Sequence, residues 1–214
     1  FVLPLGLSGN TCQVEFFENS NLEILFVGRL ELRKGIDILL KALPMVLEEI
    51  PQAKIRIIGD NSLVGPDGFT YMEKFNSEYS DKVWLEKVCF EGRVDQDVLL
   101  SAYKSCSIFL APSRFESFGL IYLEAMREGK PVIGCNAGGI PEVVTHGVNG
   151  LLVEPSDIQQ LTDAILQLAA SYPLRQKMGE AGKRIFDEKF SAKRMAEESF
   201  ALYDFAKINF LGSR

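Results

Sequence analysis

Short apolar runs alternate with longer amphipathic ones along almost the whole chain. Residues 23–28 (EILFVG) are mostly apolar and β-rich, the pattern of a strand buried on both faces. Further on, Ile36, Leu39, Leu40, Leu43, Leu47 and Ile50 recur at helical spacing, so a helix is expected over 36–50. Pro44 falls inside it and is expected to kink it or to crowd its neighbours, because proline removes a hydrogen bond and clashes with the preceding turn. More strands are expected at 54–59 (KIRIIG), near 87–92, and at 107–111 (SIFLA), 131–135 (PVIGC) and 150–153. Helices fill the gaps: one ending near 82, then 95–105, 119–128 and a short one from 140. Three more helices, 157–171, 173–188 and 191–205, follow the last strand.

Such alternation implies an α/β fold: a doubly wound, mostly parallel, Rossmann-like sheet with helices on both faces. Ligands of these sheets bind beyond the carboxyl ends of the strands, at a topological switch point. A residue that matters for chemistry should therefore lie just after a strand. The sequence shows no internal repeat and no low-complexity linker, so one domain is expected.

Composition narrows the classes. With 214 residues, 47% apolar and 24% charged, the chain can bury a sizeable core. A formal charge of -6 with mixed signs argues against nucleic-acid binding, which wants a basic face. Small anions need only two or three local cations. No apolar run reaches the roughly 20 residues that span a bilayer, and Phe1 to Gly6 lacks the basic start of a signal peptide. A cytoplasmic location is expected. Cys12, Cys89, Cys106 and Cys135 form no CxxC pair, which suits reduced thiols rather than a metal site. His146 is the only histidine, and a mechanism needing two is excluded.

Two clusters follow strands. Gly28 opens the first, with Arg29 and Lys34 straddling a short turn. An arginine fork and a lysine point charge together suit a diphosphate, although solvated surface cations fit the spacing as well. The second runs from Ala111 through Arg114, Glu116, Ser117, Phe118, Gly119 and Leu120 to Glu124. It joins a strand to a helix, so the free amides of Phe118, Gly119 and Leu120 form an anion-binding end. Gly119 admits close approach of a ligand. From Gly119 to Glu124 the helix rises only ~7.5 Å, so Glu116 and Glu124 could hold hydroxyls on either side of a phosphate. A helix-capping acid and an exposed helix residue are the plainer readings of these two. Asp95 and Asp97, which resemble a metal-binding acid pair, suit a helix N-cap and first turn better.

Three segments in register, FVGRLELRKG, ESFGLIYLEA with its Glu-x7-Glu spacing, and PVIGCNAGGIPEVVTHGVNGLLVEPSD, resemble the C-terminal domain of family 4 glycosyltransferases. The resemblance extends from about Leu22 to Phe205. It implies the C-terminal half of a GT-B fold in a retaining, metal-independent, hexosyltransferase-type enzyme. No cofactor is implied; the nucleotide-diphosphate sugar is the substrate. By the same resemblance, Arg29 and Lys34 bind the donor diphosphate and Glu116 binds hydroxyls of the transferred sugar. Ser117 and the amides of Phe118, Gly119 and Leu120 contact sugar and phosphate, and Glu124 accepts from the ribose. Gly92, Arg93 and Val94 flank the nucleobase, with Arg93 able to stack on it, and Gly28 and Gly59 line the same cleft. GGIPEVV and GVNGLLV are expected to be packing and turn elements, with His146 in a turn.

The resemblance also implies an N-terminal half that supplies a glycine-rich loop, a histidine near the reacting sugar and the acceptor site, none of which this sequence is expected to provide. Residues 1–20 are expected to be the remnant of an interdomain connection and 21–214 the nucleotide-sugar-binding domain. Leu5 stands where the family commonly has asparagine. The chain is expected to bind a nucleotide sugar and transfer nothing alone; peripheral membrane association of the whole protein stays open. The rival readings are a nucleotide-sugar epimerase of the same architecture and a non-catalytic nucleotide-binding module. A nicotinamide dehydrogenase is poorer, because no GxGxxG opens the first helix.

Overall fold

The computed structural model describes residues 5–8, 22–65 and 67–211. Six strands, β1 (Glu23–Val27), β2 (Lys54–Ile58), β3 (Val88–Gly92), β4 (Ile108–Ala111), β5 (Val132–Cys135) and β6 (Gly150–Val153), form one sheet. Every pairing is parallel, and the order is β3-β2-β1-β4-β5-β6. Phe26 pairs with Ile57 on one side and Leu110 on the other. The helices are α1 (Ile36–Glu49), α2 (Tyr71–Glu78), α3 (Gln96–Ser105), α4 (Leu120–Arg127), α5 (Ile140–Val143), α6 (Ile158–Ala170), α7 (Tyr172–Ile185) and α8 (Ala192–Leu211). Right-handed crossovers put α1 and α2 on one face, where α6 packs on α1, and α3 and α4 on the other. This is the doubly wound, Rossmann-like sheet expected from the alternation, and its order reverses between β1 and β4.

Burial explains where the expected elements shifted. Helix α1 continues through Pro44 to Glu49, so the proline does not end it. Mid-helix proline costs ~3 kcal/mol, whereas α1 buries eight residues from Ile36 to Leu47, each large one worth roughly 1.5–3 kcal/mol. Burial wins. The helix expected to end near 82 is shorter: α2 stops at Glu78, and a 3-10 turn spans Val83–Lys87. Trp84 of that turn joins Phe75, Tyr79 and Phe90 in an aromatic cluster, which takes the chain out of the helical path. Similarly, α7 ends at Ile185 in a π-helical turn, Phe186–Phe190, that buries both terminal phenylalanines.

Of the expected interdomain remnant, only residues 5–8 are described. Leu7 bridges to the α7–α8 junction, its amide donating to Phe190 at 2.9 Å and its carbonyl accepting from Ala192 at 2.8 Å. Burial pushes the Cys106 thiol up to about 12 and the Cys135 thiol up to about 11. Both stay protonated, in keeping with free cysteines; Cys12 lies outside the described residues.

The two loops at the switch point touch at Gly35. Its φ is +72°, and a Cβ there would sit 1.9 Å from the Pro112 carbonyl oxygen. Gly35→Ala is therefore expected to lower the unfolding free energy by about 2–4 kcal/mol, combining left-handed strain with overpacking. Urea denaturation checks this; a wild-type midpoint would show that the loops part at little cost.

Candidate active site at the switch point

The carboxyl ends of β1, β2 and β3 are stitched by their glycines. Gly28 donates to the Ile58 carbonyl at 2.9 Å, and Gly59 to that of Gly92 at 2.8 Å. A Cβ on Gly59 would meet the Gly28 oxygen at 1.9 Å, so these two expected cleft residues hold the backbones together.

Beyond β1, the chain makes a 3-10 turn, Leu32–Lys34, that carries its cations toward the loop after β4. Lys34 Nζ lies 2.6 Å from Glu116 Oε1, which also accepts from the Ser113 hydroxyl at 2.9 Å. Arg33 Nη1 is 3.9 Å from the other Glu116 oxygen, and its Nη2 is 3.0 Å from Glu31. Glu31 in turn receives Arg29 at 3.1 Å. Arg29, Lys34 and Glu116, expected to act together, are thus joined in one network, completed by Glu31 and Arg33, which the sequence reading passed over. Three cations face two carboxylates, so the cluster is net positive. Lys34 and Glu116 are largely buried, whereas Arg29 is 56% exposed and can swing to an incoming anion.

The loop after β4 then turns into α4. Gly119 is its N-cap, with φ 90° and ψ 49°. The amides of Phe118, Gly119 and Leu120 have no hydrogen-bond partner among the described residues. As at other helix N-termini, these donors have no partner within the helix. Ser117 is exposed, and the Phe118 ring packs edge-on against Phe190 at 6.0 Å. Beneath the loop lie Gly138 and Gly139. The Gly139 amide donates to the Glu116 carbonyl at 2.8 Å, and a Cβ on Gly139 would meet the Ser117 oxygen at 2.4 Å. The GGIPEVV segment is thus a packing element under the site, as expected.

Glu124 faces the other side. Its Oε2 accepts from the Tyr103 hydroxyl of α3 at 2.7 Å. Burial and the adjacent carboxylate push Tyr103 well above its ordinary range, so it remains a neutral donor. Arg93 sits apart, after β3, with Nη2 2.6 Å from Asp60 Oδ2 after β2; Val94 is half-buried against the core. The Ser62 hydroxyl and amide, then Arg93, hold the Asp60 carboxyl well below the usual carboxylate range. Arg93 is 78% exposed. Asp95 is the N-cap of α3 by backbone position, and Asp97 lies in the first turn, but the Asp95 side chain makes no capping bond. His146 Nδ1 accepts from the Leu152 amide at 3.0 Å, which closes a turn.

The model of the family described as glycosyl transferases group 1 matches residues 12–185. The chain belongs to that family. It is 34% identical over 183 residues to an uncharacterized glycosyltransferase of Methanocaldococcus jannaschii, covering 86% of this chain and 45% of the relative. HepE of Anabaena, solved in complex with UDP and glucose, superposes with a TM-score of 0.72 at 27% identity, over 86% of this chain and 48% of that one. A solved C-terminal domain of a group 1 glycosyl transferase, LpcC of Francisella tularensis, gives 0.72 at 27% identity, over 80% and 87%. The chain thus spans about half the length of the first two. As in other GT-B glycosyltransferases, the sheet is Rossmann-like, and among the described residues no helix is long and apolar enough to cross a membrane.

Glu116→Ala would leave Lys34 and Ser113 without their shared acceptor. It is expected to destabilise the fold by about 1–3 kcal/mol, whereas Arg93→Ala, on an exposed pair, should leave the urea midpoint unchanged. Equal midpoints for the two variants would mean that the Lys34–Glu116 contact is as well hydrated as the Arg93 pair.

Proposed function

We propose that this chain is the donor-binding half of a retaining, metal-independent glycosyltransferase, and that it holds a nucleotide-diphosphate sugar at the β1/β4 switch point. The observation that carries this reading is the meeting of a net positive cluster with three unpartnered amides. A diphosphate would satisfy both. Arg29 and Lys34 would hold its oxygens, aided by the amides of Phe118, Gly119 and Leu120. Glu116 would accept from hydroxyls of the sugar, and the free Oε1 of Glu124 from the ribose.

The spacing of the site supports an extended ligand. Neighbouring strands lie about 4.8 Å apart, so the ends of β3 and β4, three steps apart in the order, are about 14 Å from each other. That leaves room for a base near Arg93 and Val94, a ribose and diphosphate across β1, and a sugar near Glu116. The UDP and glucose bound to HepE of Anabaena support the same ligand class.

The electrostatics suit glycosyl transfer. As the bond from the anomeric carbon to the phosphate oxygen breaks, negative charge grows on the departing diphosphate. Fixed cations and amides already aimed there stabilise that charge without reorganisation. Retention of anomeric configuration belongs to the proposal through the Glu-x7-Glu resemblance. The acceptor would be held by an N-terminal domain of the same protein, so this chain alone binds the donor and does not transfer the sugar.

Calorimetry of the 214-residue chain against UDP, GDP and ADP and their common sugar conjugates tests the reading. At least one nucleotide should bind. Arg29→Ala and Lys34→Ala should each weaken it by about ten-fold or more, the worth of a charge-assisted hydrogen bond. Glu124→Gln should weaken the nucleotide while leaving inorganic pyrophosphate binding unchanged. Absence of binding to all three nucleotides sinks the donor-site reading, and sugar transfer by this chain alone sinks the claim that it needs a second half.

A further inference from the structure

Arg114 lies two residues before Glu116, where a phosphate-binding arginine would be sought, yet its donors are engaged by protein. Nε donates to the Ser156 hydroxyl at 3.0 Å. Nη1 and Nη2 grip both oxygens of Asp37 at 2.7 and 2.8 Å, and Nη1 also reaches the Leu32 carbonyl. The Arg114 amide donates to the Arg33 carbonyl at 2.9 Å. One residue therefore ties together three loops at the carboxyl edge: those after β1, β4 and β6. Asp37 sits in the first turn of α1, which fixes the far end of the β1 loop to a rigid element.

Ser156 gives an independent sign that this arrangement is held under constraint. Its φ is +68°, and it is the one non-glycine residue in the left-handed region among the described residues. Strain of this kind persists where surrounding contacts over-determine it, and it clusters at functional sites. Here the strained residue presents its hydroxyl to Arg114.

The β1 and β4 loops are also tied by Lys34 and Glu116. On the donor-site reading, a phosphate competes for Lys34 and a sugar hydroxyl for Glu116, so that tie loosens on binding. On the same reading the Arg114–Asp37 fork, whose donors are already bonded to protein, is not asked to change partners. It is the tie that survives.

We infer that Arg114, acting through Asp37, Leu32 and Ser156, is a positioning residue that sets the distance between Lys34 on one loop and the amides of Phe118, Gly119 and Leu120 on the other. This rests on the donor-site reading above. Lysine cannot replace it, because a point charge lacks the planar fork that grips both Asp37 oxygens.

The test uses wild type, Arg114→Lys, Asp37→Asn, Lys34→Ala and the double variant Arg114→Lys/Lys34→Ala, each titrated with UDP, GDP and ADP and melted without ligand. Wild-type binding to one nucleotide is the first requirement; its failure removes the donor-site reading and this inference with it. Given binding, Arg114→Lys and Asp37→Asn should each weaken the diphosphate about ten-fold. The corresponding monophosphate should weaken by no more than about three-fold, because it samples less of the gap between the loops. If Arg114 acts through Lys34, the double variant should be less impaired than the product of the singles. Unchanged diphosphate affinity, equal weakening of mono- and diphosphate, or strictly multiplicative losses would each overturn the inference. Should Arg114→Lys fail to fold, Asp37→Asn, which keeps the shape of the partner, decides the same question.

Discussion

Everything at the carboxyl edge depends on the reversal of strand order between β1 and β4. Because the crossovers after these two strands leave in opposite directions, their loops face each other across a crevice. The backbone sets how wide the gap is. Gly35 against Pro112 brings the loops to contact on one side, and the bond from the Arg114 amide to Arg33 holds them there. With a side chain at position 35, the 3-10 turn bearing Lys34 could not lie where it does. The chemistry of the cleft is thus a consequence of a close approach between two main chains, and the charged side chains follow from it.

The charges in the cleft satisfy one another while no ligand is there. Lys34 and Glu116 are too well buried to remain unpaired, since an isolated charge in such surroundings costs several kcal/mol. Pairing them makes the empty site stable. It also leaves the pair ready for exchange: a phosphate oxygen can replace Glu116 at Lys34, and a hydroxyl can replace Lys34 at Glu116. The first exchange keeps Lys34 paired with an anion, and the second leaves Glu116 hydrogen-bonded to hydroxyls, Ser113 among them, with Arg33 at 3.9 Å as its remaining cation. The exposed Arg29, by contrast, gives up only a surface contact with Glu31, which is worth little. On the donor-site proposal, a ligand would bind here by substitution of partners, so net affinity would come chiefly from contacts that have no counterpart beforehand. The amides of Phe118, Gly119 and Leu120 are such contacts.

Much of this was legible in the sequence because it follows from period and position. Apolar runs marked the strands, and the rule that ligands sit after strands singled out Arg29, Lys34 and Glu116. The residues that hold these in place were harder to see. Asp37 looks like any acid at a helix start, and Arg114 like any cation in a polar loop, because their meaning lies in a contact spanning 77 positions. Ser156 carries no sequence signal for left-handed backbone. Some misses were avoidable: Thr70 and Glu73 form a capping box at the start of α2, and that spacing was readable beforehand. The end of α2 was not, since it is set by Trp84 reaching an aromatic cluster assembled from three separate elements.

A comparison within the molecule sets the proposed ligand site against a cluster that is purely structural. Beside the end of α3, Arg56 bridges Glu91 at 2.5 and 3.0 Å and Glu23 at 3.2 Å, while the Ser105 hydroxyl donates to Glu23 at 2.7 Å. Its charge density rivals that of the cleft. Hydrogen bonding to Glu91 raises the Arg56 guanidinium above even its usual range, so the cation is permanent. Yet the cluster offers nothing to a ligand: the fork is filled, the carboxylates are bonded, and strands on three sides fix the geometry. At the switch point a cluster of similar size adjoins three amides without acceptors and an arginine free to turn. On the donor-site proposal, donors left for a ligand, more than charge, set the switch point apart from the Arg56 cluster.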